Sequence, residues 1–450
     1  MKPTDIRIDA VTFSYEDHRY RTPIKFGGTA VDRVTLVNVE CRVSTRAGKS
    51  AAGFGSMPLG NVWSFPSRVL GYDQTLTAMQ SLITRLATLY GTCSEVGHPI
   101  DLTHTLEPHF FPLADEVTQQ LALAEPVPPL CALVCASSFD AALQDAFGKV
   151  HGRNCYHTYG PDFLSHDLGH YLGAEFQGET LHRYIARQPQ PRMPLYHLIG
   201  ALDPLTPGDV KQPVGDGLPE TLGDWIVADG LTHLKIKLNG DDPALDLGRV
   251  LSVDRVAAQA RPGDVPWQYS LDFNERCPNV SYLLDVLQTI RERRPAAFER
   301  IQYVEQPTAR DLKANPNNDM HEAAKIKPVV IDESLIDLES LLLARELGYT
   351  GVALKACKGQ SQSLLIAAAA QNLGMFLCVQ DLTCPGASLI HSAGLAAHIP
   401  SLRAIEANAR QYCPAANMPW EQSHPGIFRI TNGTMKTGEL TGVGLGAVRG

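Results

Sequence analysis

The chain has 450 residues, 44% of them hydrophobic, with 39 basic and 48 acidic side chains for a net charge of −9, enough apolar material for a large core and more than one domain. No long basic run breaks the acidic balance, and Arg291-Glu292-Arg293-Arg294 reads as the solvated end of a helix, which argues against a nucleic-acid partner. No Cys-x-x-Cys pair occurs among the ten cysteines, Met1-Lys2-Pro3-Thr4-Asp5 leads into no apolar signal segment, and no stretch of 18 apolar residues is found; a soluble, cytoplasmic protein with reduced thiols and no membrane partner is expected.

In chain order, residues 1–135 do not alternate strand and helix and read as an α+β unit. Residues 6–15 and 34–44 are predicted strands, the second with Val37, Val39, Cys41 and Val43 alternating against polar neighbours. Gly27-Gly28, Gly48 and Gly53-Phe54-Gly55 read as turns between them, and 75–89 has helical spacing. Cys131 and Cys135 lie in an apolar stretch that suggests core packing. The run FDAALQDAFGKV at 139–150 predicts a helix capped by Ser137 or Ser138. From 160 to 194 the pattern weakens, and this segment, above all 160–190, reads as an insertion or long loop over a rim. Its His166 and His170 have the spacing of a helical zinc site but lack the glutamate of that motif, so they read as a surface or insertion feature. Strand–helix alternation restarts at 193–200 and runs to about 410, giving a second domain over 136–410. The glycine-rich segment 411–450 would return to the first unit.

Within that alternation, Leu271-Asp272-Phe273-Asn274, Tyr303-Val304-Glu305-Gln306-Pro307 and Val330-Ile331-Asp332-Glu333-Ser334 each read as a buried strand delivering an acid at its carboxyl end. Counting from Lys237, 35 residues lead to Asp272, 33 more to Glu305, 27 more to Asp332 and 23 more to Lys355, each close to one strand–helix unit of about 30 residues. Helix-like stretches fill the intervals: 281–294 repeats Leu283, Leu284, Leu287 and Ile290 and ends in Arg291, Arg293 and Arg294, while 363–373 is alanine-rich. Parallel strands follow, with chemistry at their carboxyl ends. Any single acid could be a helix cap; three in successive units point to a hard-oxygen site for Mg²⁺, or Mn²⁺, rather than zinc. Alternation leaves open whether Asp332 or Glu333 faces inward.

In Leu234-Lys235-Ile236-Lys237-Leu238 the two lysines share one side of a strand. On a barrel strand both would point inward and depress each other's proton affinity, making a usable base; on an edge strand they would simply be wet. Lys355 ends the next-but-three strand, and a lysine there would put one ammonium on each face of a bound substrate. Lys358 ranks as a rim or helix-start residue.

Lys235-Ile236-Lys237, Asp272-Phe273-Asn274, Glu305-Gln306-Pro307, Asp332-Glu333-Ser334 and Leu354-Lys355, in this order and spacing, resemble the enolase superfamily, specifically its muconate-lactonizing-enzyme-like branch in the mandelate racemase/muconate lactonizing enzyme family. The run FDAALQDAFGKVHG and the close at 442–446 extend the likeness; roughly 160–190 stays outside it. The resemblance implies an α+β capping domain on a modified TIM (β/α)7β barrel, Mg²⁺ held by Asp272, Glu305 and Asp332, and Lys237 and Lys355 as two bases with Lys235 as electrostatic helper. The mandelate-racemase-like branch uses a seventh-strand histidine, and Phe376-Leu377-Cys378-Val379-Gln380-Asp381 has none. Cap loops 22–28, with Lys25, and 53–58 become candidates for substrate contact, as do Asn274, Asp381 and Glu406. Dipeptide epimerases of this branch carry Asp-x-Asp on the eighth strand; Glu406-x-Asn408 departs from it, which puts dipeptide activity in doubt, and Gly359-Gln360 replaces the usual Gly-Gly.

The expected activity is Mg²⁺-dependent removal of a proton alpha to a carboxylate, by a racemase or epimerase of a small carboxylate such as an amino-acid derivative. A cycloisomerase or an acid-sugar dehydratase would use the same enolate. A catalytically silent barrel binding a small acid or a protein partner, and a Schiff-base aldolase resting on Lys235 or Lys355, are the readings from other classes. The resemblance also implies a homo-oligomer.

Overall fold

The computed structural model describes residues 2–26 and 28–447; Gly27, half of the expected Gly27-Gly28 turn, lies outside them. β1 (Ile6–Phe26), β2 (Thr29–Thr45) and β3 (Ser50–Pro58) form an antiparallel sheet in that order. β2 buries Val37, Val39, Cys41 and Val43 and exposes Glu40 and Arg42, as its period-two pattern requires. The first two strands outrun their predicted 6–15 and 34–44 limits. Beyond Tyr15, β1 continues through Glu16, Asp17, His18 and Arg19 as half of a ribbon, a polar stretch in which apolar periodicity gives no signal.

β3 was expected as turns, and it is a strand because of its glycines. A Cβ on Gly53 would stand 2.1 Å from the backbone nitrogen of Ala146, and one on Gly55 2.1 Å from the carbonyl oxygen of Ser138. Only glycine lets the helix Pro129–His151 lie flat on this strand. That helix starts ten residues before the predicted 139. Pro129 occupies its first turn, and Ser137 and Ser138 are buried inside it, where the Ser137 hydroxyl donates to the Val134 carbonyl (2.8 Å) instead of capping. Its left-handed Gly152 ends it. Among the described residues it is the one helix that by length and composition could cross a membrane, and its apolar window is wholly buried within the protein. All ten cysteines are free thiols.

The second unit is a closed ring of eight parallel strands, β4 (Met193–Ile199), β5 (His233–Lys237), β6 (Gln268–Asp272), β7 (Ile301–Glu305), β8 (Val329–Ile331), β9 (Gly351–Leu354), β10 (Phe376–Gln380) and β11 (Ile405–Glu406), with β11 pairing back onto β4. Helices including Pro243–Ala260, Val280–Arg293, Gln360–Asn372 and Ala387–Ala397 return the chain between strands. This is the expected (β/α)7β barrel with an α+β cap. Leu234 and Ile236 of β5 pack toward the helices with Leu247, Val250 and Val253, which turns Lys235 and Lys237 inward. An inner layer of Tyr196, Tyr303, Val330, Ala353, Cys378 and Ala404 fills the barrel below them.

Residues 160–190 form short helical turns that bury Leu164, Leu168, Leu172, Phe176, Leu181 and Ile185. The Gln371 amide donates to the Tyr184 carbonyl (3.2 Å), and the Ala186 N–H to the His398 carbonyl (2.8 Å). Those partners lie at the carboxyl ends of barrel helices, so this segment covers the barrel face opposite the acids. His166 and His170 stack at 4.0 Å on it, beside His104 of the cap. In the tail, the Trp420 ring stacks on Phe54 of β3, and β12 (Thr434–Met435) pairs antiparallel with the start of β4.

Candidate active site

β6 and β7 end in Asp272 and Glu305, and Asp332 directly follows β8, so three successive strands carry acids to one end of the barrel. β5 supplies Lys235 and Lys237 to the same end. The Lys235 ammonium donates to Glu305 Oε1 (2.8 Å) and lies 3.2 Å from Asp272 Oδ2 and 3.5 Å from Glu406 Oε2. Lys237 Nζ bonds Asp272 Oδ2 (2.5 Å) and Asn274 Oδ1 (2.9 Å). Lys355, directly after β9, contacts Asp332 Oδ2 at 3.0 Å. Because β5 and β9 are four strands apart in an eight-strand ring, Lys237 and Lys355 enter from opposite sides. β5 has a neighbour on each side, so its lysines do not form the wet face of an edge strand.

The turns behind these groups are strained, with Asn274, Glu275, Gln306 and Thr383 at φ of 52°, 64°, 31° and 50°, each costing about 1–3 kcal/mol. Gln306 Oε1 accepts from the backbone of Asp332 (3.0 Å) and Ser334 (3.3 Å), which fixes the Asp332 loop.

Burial and charge set the electrostatics. Asp272, Glu305, Asp332, Glu333, Asp381 and Glu406, with Lys235, Lys237, Lys355 and Lys358, are each at most 8% exposed. Six acids face four ammonium groups. Burial opposes the charged form of Asp272, but Lys237 and Lys235 outweigh it and hold the carboxyl well below the usual range; burial likewise opposes Asp332, which Lys355 and Lys358 bring down to about 2. Glu305 is pushed up to about 7 by burial and by the charge of Asp272. Glu333 is pushed well up by burial and by Asp332. Burial lowers Lys235 and Lys355, yet their acid partners win and raise both. For Lys235 this reverses the depression expected from sequence, because Glu305, Asp272 and Glu406 surround its ammonium.

The predicted residues divide. Asn274 touches Lys237, and Glu406 reaches Lys235 while accepting from the Asn408 amide (3.0 Å). Asp381 organises its own loop, accepting from the N–H groups of Thr383 and Cys384 at 3.1 Å; burial and Glu406 push it up to about 8. Lys25 sits in the β1–β2 hairpin opposite Ala30, and among the described residues no hydrogen bond or ion pair ties it to the acids. Residues 53–58 lie within β3; the cap enters the barrel instead through the short helix Asn61–Ser64 that follows. Between hairpin and barrel runs a groove of about 630 Å³, lined by Phe26, Val62, Phe65 and Tyr72 and reaching Asn274.

Three groups were missed in the sequence. Lys358, ranked as a rim residue, is buried with its ammonium on the Asp332 carbonyl (2.5 Å) and Oδ1 (3.1 Å). The single turn Ala356–Lys358 after β9 brings a residue three beyond Lys355 back over the strand end, a spacing that could have revealed it. Gln380 donates to Glu305 Oε2 (2.5 Å). Trp63 donates from Nε1 to Glu333 Oε1 (2.9 Å). Glu333 therefore faces the cap and Asp332 the lysines.

Among the described residues, no three His, Cys, Asp or Glu side chains stand close enough together to hold a metal as they are, since Lys235 lies between Asp272, Glu305 and Glu406. The donor chemistry nevertheless fits a hard dication: Asp272, Glu305 and Asp332 bring oxygen ligands from three successive strands to one buried end of the barrel.

A capped, closed parallel barrel with acids and paired lysines at one end defines a class of acid–base enzyme. The family model for enolase C-terminal domain-like proteins matches residues 218–448, just over half the chain. The chain belongs to the enolase superfamily, in its mandelate racemase/muconate lactonizing enzyme branch. Similar solved structures include a muconate lactonizing enzyme from Pseudomonas fluorescens complexed with muconolactone, 16% identical, covering 99% of this chain and 97% of that one with a TM-score of 0.61. Another is a dipeptide epimerase from Enterococcus faecalis V583 complexed with Mg and L-Leu-L-Tyr, 16% identical, covering 90% and 91% at 0.58. A third is an enolase from Bradyrhizobium complexed with magnesium and mandelic acid, 14% identical, covering 99% and 96% at 0.62. No curated protein matches the chain.

Proposed function

We propose that the chain is a racemase or epimerase of a small carboxylate, removing the proton alpha to the carboxylate on one face and returning one on the other. The observation that carries this reading is the placement of Lys237 and Lys355 four strands apart, on opposite sides of one row of acids. Asp272, Glu305 and Asp332 would hold Mg²⁺, the ion bound by two of the similar structures. Bound there, the dication would stabilise the second negative charge of the enolate and offset the acids that now raise Lys235 and Lys355.

The chain's own residues do the rest. Lys237 Nζ, oriented by Asp272 and the Asn274 carboxamide, takes the proton on its face; Lys355 Nζ, oriented by Asp332, serves the other. Lys235, inside the row of acids, balances their charge without facing the substrate carbon. The cap excludes water, which strengthens each of these interactions. Asn274, Glu406 and Asn408 line the substrate side, and the groove beside Phe26 and Tyr72 admits an apolar substituent such as that of an amino-acid derivative.

In D₂O with Mg²⁺, the wild-type protein should wash deuterium into the alpha position of both enantiomers of a true substrate. Lys237→Ala should slow exchange of one enantiomer by about 10²–10⁴-fold and largely spare the other, and Lys355→Ala should do the reverse. If either substitution removes both exchanges, inversion by two bases is wrong and one-base cycloisomerisation or dehydration takes its place. Absence of exchange with every carboxylate tried would indicate a catalytically silent barrel.

A further inference from the structure

Trp63 belongs to the cap, yet its side chain closes one side of the barrel mouth. The ring centroid is 4.7 Å from Lys355 Nζ and 5.7 Å from Lys358 Nζ. Its Nε1 donates to Glu333 Oε1 (2.9 Å), and its carbonyl accepts from Arg310 Nη2 (3.1 Å). Arg310 is itself clamped to both oxygens of Glu275 at 2.7 and 2.6 Å. Loops following β7, β8 and β9 thus meet on this cap residue, which is 6% exposed.

The opposite side is built differently. Lys237 is held by Asp272 and Asn274, both from the barrel, and among the described residues no aromatic ring stacks on it. An ammonium over an indole face is attracted by the ring quadrupole, most strongly where water is excluded. The flat ring also blocks the rotamers that would swing a lysine away from Asp332, and the bond from Glu333 keeps the ring in that plane.

We propose, building on the reading of Lys355 as one of two bases, that Trp63 is the positioning residue of the Lys355 face: the cap fixes one proton-transferring ammonium through this indole, while the Lys237 face is set by the barrel alone. Cap docking would then govern alpha-proton exchange of the two enantiomers unequally.

The test uses the intact chain with Trp63→Phe and Trp63→Leu. Without substrate, lysines are reductively methylated and followed by peptide mass spectrometry. Trp63→Leu should raise labelling of Lys355 about tenfold or more, leaving Lys235 and Lys237 at wild-type rates, and Trp63→Phe should give a smaller rise because a ring remains. With substrate in D₂O, Trp63→Leu should slow exchange of the enantiomer served by Lys355 about tenfold and leave the other within about threefold, with Trp63→Phe between. Equal acceleration of labelling at all buried lysines, unchanged labelling of Lys355, or equal loss of both exchanges would overturn the proposal. If the wild-type protein exchanges no substrate, the two-base reading falls, while the labelling result still decides whether Trp63 holds Lys355.

Discussion

Three histidines, His98, His197 and His391, are buried, and burial brings each down to about 3. Neither ring nitrogen of His391 has a hydrogen-bond partner, so a proton there would find no acceptor. The folded chain refuses a proton that the unfolded chain takes up below its usual value near 6.5, so the stability this group contributes is complete above about pH 6.5 and is lost as pH falls toward 3. Glu305 and Asp381 act with the opposite sign, being raised to about 7 and 8, and partly cancel the slope of the whole protein. A single substitution isolates the effect. His391→Asn loses packing at pH 7 but should recover on the order of 2 kcal/mol relative to wild type at pH 5, read by urea denaturation at both values. A difference independent of pH would show that His391 takes its proton in the folded state. Chemistry at this scale was legible where side chain and strand end coincide, as at Lys237, Asp272, Glu305 and Lys355. It was hidden where a loop bends back, as at Lys358, or where another unit supplies the group, as at Trp63, because neighbourhood in sequence says nothing of either.

At the scale of elements, the cap is held together by the contact of β3 with the helix Pro129–His151. Both were misjudged in sequence, and for linked reasons. Gly53 and Gly55 look like turn residues because their purpose lies in a partner some 90 positions away, and the helix loses its visible start because it is apolar on every side. The barrel strands were legible for the opposite reason: each is short and largely buried, and all but β4 are closed by an acid or a lysine. Gly55→Ala places a methyl group against the Ser138 carbonyl, so helix and strand must separate. It should cost about 1–3 kcal/mol and shift the apparent melting temperature, whereas Gly48→Ala, at a tip with no atom within 4 Å of the added carbon but at a φ of 80°, tests backbone strain alone. Equal losses at the two positions would mean that β3 does not need the close approach.

For the whole molecule, the order of acids and lysines along the chain was enough to suggest the barrel, since a (β/α) unit repeats at an interval that the acids themselves mark, while the cap came from the family resemblance. The path of 160–190 was not legible, because a segment without periodicity can cover either end of a barrel. What unites the structure is a buried cluster in which six acids crowd four ammonium groups, an oxygen-rich site suited to one dication. Titration calorimetry of EDTA-treated protein with Mn²⁺ measures this directly. One ion per chain should bind, Asp332→Asn should weaken it by more than about 100-fold, beyond the range that outer-shell partners carry, and Glu333→Gln should stay well inside that range. Absence of saturable binding, or loss in Glu333→Gln with Asp332→Asn unaffected, would contradict the assignment of Asp272, Glu305 and Asp332 as the metal-holding set.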